Sequence, residues 1–242
     1  MSEYIGPAIG VVLVVALIVF GLHHLFVVMP RRHRNKVDRV VGIAGLAQRL
    51  NGTVHTTRTG TRPSFGVLPG PRDILSPKPL TGPLDQFDQA VEFSYRGHQA
   101  LGVDYTFNHR TPGHNRRYIR VQHNIAQVRI PPTPHLRIAG RTPAGLTYRG
   151  DALRVFPLGV PRFDDAFEVA AADEGFARTV LTGPMVDLLL YGARYRDKFL
   201  EFESGVLRSE FFGPLEEKVL LSNLDLLIDV VERLPQQAFR GS

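Results

Sequence analysis

The residues with the clearest capacity for chemistry are Arg116-Arg117-Tyr118-Ile119-Arg120. On a strand, alternate positions put Arg116, Tyr118 and Arg120 on one face. Basic side chains beside an aromatic ring can hold phosphate and stack on a flat partner. Arg117 adds a fourth basic or aromatic group to the same stretch. We take these residues as a candidate anionic-surface binding site. No other group reaches that standard. His98, His109, His114, His123 and His135 have no i, i+4 or His-x-His spacing, so no metal site is expected. Asp164-Asp165 with Glu168 offers carboxylates for acid–base work, but adjacent aspartates before a strand usually cap or face solvent. Gly-x-Ser-x-Gly, Gly-x-Gly-x-x-Gly and the phosphate-loop pattern are absent, and no catalytic or cofactor-binding residue is assigned.

Composition narrows the choices further. The chain has no Cys, which excludes disulfides, thiolate metal sites and a Cys nucleophile. It has no Trp. The formal net charge is +6, unevenly spread. Arginines fill the middle of the chain and acids dominate beyond Val155, an asymmetry that points to an anionic partner.

The elements that must position these groups begin with an apolar run. Residues 4–29 contain no Asp, Glu, Lys or Arg, and about 20 apolar residues suffice for a helix to cross a bilayer. Arg31, Arg32, Arg34, Lys36 and Arg39 follow it, and basic residues at a span's end stay on the cytoplasmic side. The expectation is a single-pass inner-membrane protein with its N-terminus outside. Gly6 and Gly10 would permit close helix packing and hence a homodimer.

The expected organisation is an anchor over 1–30, a basic juxtamembrane segment and helix over 31–55, and a Pro/Gly-rich connection over 56–90. An α+β domain over 91–235 and a tail over 236–242 complete it. Within the domain, Leu101, Val103, Tyr105 and Phe107 alternate, as do Ile119, Val121, His123 and Ile125, which predicts an antiparallel meander. The shift in phase at Val128 and Ile130 suggests a bulge or break. A strand over 167–169, a helix capped by Asp173 and restarted at Gly183-Pro184, a hairpin about Ser204-Gly205 and a last helix after Pro214 make the C-terminal half.

Phe163-Asp164-Asp165-Ala166-Phe167-Glu168-Val169, then Ala177 and Val180-Leu181-Thr182-Gly183-Pro184-Met185, resembles a family of bacterial membrane-anchored proteins that carries a domain of unknown function. Tyr95-Arg96-Gly97 and Val103-Asp104-Tyr105 resemble its central strand pair, over roughly residues 91–235. Gly183 before the proline departs from the family pattern. The resemblance implies a shared fold and an anchor and supplies no activity. The functional expectation is a non-enzymatic binding module acting on anionic lipid headgroups or on a membrane-associated protein, with no cofactor. Nucleic acid is not the favoured partner. The alternative is a small tethered enzyme assembled from Asp104, His123, Asp164 and Glu168.

Overall fold

A computed structural model of the chain describes residue 20 and residues 42–56, 60–68, 87–110, 118–141, 153–195, 198–213 and 215–239. At 107–110 and 118–121 the backbone alone is described. The chain divides into a unit of residues 1–42 and a unit of residues 43–242. Within the first, Phe20 is helical and exposed.

The second unit is built on one antiparallel sheet of nine strands. These are β1 (Thr53–Thr56), β2 (Gln89–Tyr95), β3 (His98–Arg110), β4 (Tyr118–Arg129), β5 (Leu136–Gly140), β6 (Arg154–Phe156), β7 (Phe167–Ala171), β8 (Phe199–Glu203) and β9 (Val206–Phe212). Their order is β1-β2-β3-β4-β9-β8-β5-β7-β6. Residues 42–49 form helix α1; α2 (Pro161–Ala166), α3 (Glu174–Val180), α4 (Gly183–Tyr191) and α5 (Glu217–Val231) follow.

This corrects the fold expected from the sequence. The expected α+β domain, a meander followed by a strand-helix-hairpin-helix half, gives way to one nine-stranded antiparallel sheet in which the β8–β9 hairpin lies between β4 and β5. The reason is burial. β8 and β9 read Phe-Leu-Glu-Phe-Glu and Val-Leu-Arg-Ser-Glu-Phe-Phe and are largely buried on both faces, as central strands must be. A left-handed pair, Ser204 at φ 51° and Gly205 at φ 77°, closes that hairpin.

The transmembrane helix and the single-pass inner-membrane placement are corrected as well. Among the described residues, no helix is long and apolar enough to cross a membrane. Residues 4–29, on which that expectation rested, lie outside the described residues apart from Phe20. Gly6 and Gly10 lie there too.

The helices share one face of the sheet. Ile43, Leu46, Phe163, Val180, Met185, Leu220, Leu224 and Leu227 pack with Val91, Phe93, Ala126, Val128, Leu136, Phe202 and Leu207 in the main core. On the other face Phe87, Ala90, Leu101, Val103, Tyr105 and Ile125 form a second cluster under Phe65 and Leu68. From His123 to Val128, β4 therefore buries both its faces, and Val128 pairs with Ala100 in unbroken register. The expected bulge is absent, because the apparent phase shift marks a strand covered on both sides.

Local signals in the C-terminal half act as the chemistry requires. The Asp173 carboxylate accepts from the Phe176 amide at 3.1 Å, capping α3. Pro184 enters the first turn of α4, where its missing N–H costs no helical bond. Asp164 lies in α2 and accepts from the Leu158 and Gly159 amides at 2.8 and 2.9 Å.

Candidate functional site

The longest strands outrun their neighbours. β2 pairs with β3 only as far as Gln89↔Asp104, and β9 pairs with β4 only as far as His123↔Phe212. β3 and β4 continue together from Thr106↔Gln122 to Arg110↔Tyr118. Among the described residues no third strand joins them there. At ~3.4 Å per residue this two-stranded ribbon extends the sheet by roughly 14–17 Å.

Register assigns its faces. Thr106, Asn108, Arg110, Tyr118, Arg120 and Gln122 share one face; Phe107, His109, Ile119 and Val121 share the other. Tyr118 and Arg120 of the candidate site thus fall on the polar face, joined by Arg110 of β3. Arg116 and Arg117 lie outside the described residues. The sequence offers no Asp or Glu between Asp104 and Asp151, so the ribbon carries no acid of its own. The ribbon is amphipathic, with one basic face and one apolar face.

Its root is pinned on both sides of the sheet. On the helix side, the Gln122 amide donates to both Asp104 carboxylate oxygens at 2.9 and 3.1 Å, and Gln89 donates to Oδ2 at 3.3 Å. The Thr106 hydroxyl bonds Asp88, and Asn124 donates to the Gly213 carbonyl. On the other side the His123 ring lies 4.4 Å from that of Phe212 and 5.5 Å from that of Tyr105, centroid to centroid. Burial pushes the His123 imidazole down to about 4, so it is neutral near pH 7. Phe212 is 75% exposed.

A second charged region crosses the body of the sheet. Arg137, Glu201, Arg208 and Gln127 stand directly opposite one another on β5, β8, β9 and β4. The Arg208 side chain is 1% exposed and bonds Glu201, with Glu203 at 3.0 Å and Glu210 at 3.8 Å. His135 Nε2 meets the second Glu201 oxygen at 2.8 Å. Burial pushes the Glu201 carboxyl up, but the His135 hydrogen bond and the Arg208 guanidinium outweigh it and hold it below the ordinary carboxylate value. His135, Glu201 and Glu203 bring ligand atoms within 4.8 Å of one another, a donor set that suits a cation. Arg208 already supplies that cation, so the row is an internal ion network.

The residues of the enzyme alternative do not converge. Asp104 faces the helices and His123 the opposite side of the sheet. Glu168 sits on β7, four strands from β4 in the sheet order, or ~19 Å at the usual spacing. The Arg208 row was missed in the sequence, although Glu201 and Arg208 stand seven residues apart about a two-residue turn, which places them opposite each other. A lone Asn223 within the leucine stripe of α5 was a second unread signal.

No family model and no curated protein matches the chain. Among solved structures it is similar to the mycobacterial trehalose monomycolate transport factor A, TtfA. The identity is 12%, the match covers 62% of this chain and 74% of that one, and the TM-score is 0.43. A likeness of that size leaves function to be read from this chain's own residues.

Proposed function

We propose that the protein is a non-enzymatic binding module whose β3–β4 ribbon engages anionic phospholipid headgroups. The observation that carries this reading is the ribbon itself. It is a two-stranded extension, free of acids, with Arg110, Tyr118 and Arg120 on one face and Phe107, His109, Ile119 and Val121 on the other. An amphipathic element of that kind suits a lipid interface. Each arginine near an anionic surface contributes about 1 kcal/mol, and aromatic rings settle at headgroup depth beside apolar groups. The pinned root holds the ribbon in place before contact, which lowers the ordering cost of binding.

The test is flotation of the full chain with neutral and with anionic vesicles, at low and physiological salt. The comparison is a variant with Arg110, Arg116, Arg117 and Arg120 all replaced by Gln. The reading requires an anionic-lipid-dependent, salt-sensitive component that the variant loses. Equal flotation of the two proteins at every lipid composition contradicts it. So does tighter, salt-steep binding to duplex DNA than to vesicles, which would move the partner to nucleic acid.

A further inference from the structure

Away from the ribbon, Ala193, Arg194 and Lys198 and one face of α5, through Ser222, Asn223 and Leu226, line a cleft of about 330 Å³. Asn223 is out of place by the logic of its helix. It is only 4% exposed, among Leu220, Leu224, Leu226 and Leu227, where a leucine would add to the core. Both of its polar atoms are engaged: Nδ2 donates to the Val219 carbonyl at 2.8 Å, and Oδ1 accepts from Lys198 Nζ at 3.3 Å. A buried amide that spends its acceptor on an ammonium holds that ammonium in one position at the cleft wall. Among the described residues no carboxylate pairs with Lys198. Arg194 is held on the same wall by Asp229 and by the Tyr195 ring, 5.6 Å away. Ser222 adds a hydroxyl.

We infer that this cleft is a binding site for a small oxyanion-bearing ligand, a phosphate or carboxylate group held by Lys198 and Arg194 with Ser222 as a neutral donor. The volume is that of a small-ligand site. A fixed ammonium lacking a carboxylate partner among the described residues, beside a guanidinium with N–H groups to spare, matches what an oxyanion requires. Asn223 is a positioning residue that acts through Lys198.

The test is isothermal calorimetry of the full chain with inorganic phosphate and, separately, with acetate; the stronger binder identifies the group recognised. Saturable binding is expected, weakened at least tenfold in Lys198→Met. Asn223→Leu is expected to weaken it similarly while raising or preserving the denaturation midpoint, a combination that a merely structural asparagine would not give. If Asn223→Leu does not fold, Lys198→Met decides alone. Absence of saturable binding for both anions overturns the inference, as does binding that Lys198→Met leaves unchanged. The ribbon is not involved, so failure here leaves the lipid-binding reading intact.

Discussion

The body of the sheet and the ribbon that leaves it treat charge in opposite ways. In the body, Arg208 is buried against Glu201, Glu203 and Glu210, and His135 closes the row. In the ribbon, beyond Asp104 at its root, Arg110 and Arg120 are carried on stretches of β3 and β4 that contain no acid. Both regions obey the same alternation of side chains. What differs is whether the facing strand answers a charge. Where it does, the charge contributes to the fold; in the ribbon, on the reading we propose, the charge serves a partner.

The comparison can be broken at either end. Arg208→Met should cost the most, about 3–5 kcal/mol, because it takes the guanidinium from the buried Glu201 carboxylate. Urea denaturation should show the loss, and adding Glu201→Leu should recover much of it. A full loss that the second change leaves untouched would mean that packing, not charge, is what Arg208 supplies. The four-arginine ribbon variant should leave the urea midpoint unchanged and weaken anionic-vesicle binding by roughly a hundred- to thousandfold. A destabilised variant would make the ribbon arginines structural, erasing the contrast.

Gly102→Ala probes the body from its helix side. A Cβ there would meet Leu220 Cδ2 at 2.7 Å and Cδ1 at 2.9 Å. Forcing that buried leucine aside should cost about 1–3 kcal/mol in denaturant unfolding. Acid sharpens the comparison at the ribbon's root. The unfolded chain protonates His123 near 6.5, whereas the folded chain holds it neutral down to about 4. Stability should therefore fall as pH drops through that window and stop falling, for this group, below it. His123→Phe should flatten the slope. Glu201, held below its unfolded value of 4.5, adds a loss at lower pH, as the solution passes its folded value. Asp173→Ala should cost only about 1 kcal/mol through the lost α3 cap, read in the same titration.

How much of this could be read in the chain depends on the range of the interaction. Short-range signals were legible. The alternation at 101–107 and 119–125 gave the two ribbon strands, Asp173 gave a cap, and Ser204-Gly205 gave a turn. The strand order was not legible. Placing β8–β9 between β4 and β5 depends on which apolar faces meet, and continuous burial in β4, β8 and β9 removes the period that would reveal it. β1 was hidden for a similar reason, being four residues long at an edge. The site was legible in part. Tyr118 and Arg120 were placed on one face by spacing, but Arg110 joined them only through its register with Tyr118.

The central claim is that the ribbon meets an anionic lipid surface. The chain has no tryptophan, so Tyr118→Trp puts a lone reporter on the ribbon's basic face. Its emission should shift to the blue on adding anionic vesicles, stay in place with neutral ones, and return as salt is raised. Emission that responds identically to both kinds of vesicle, or to neither, would contradict the account.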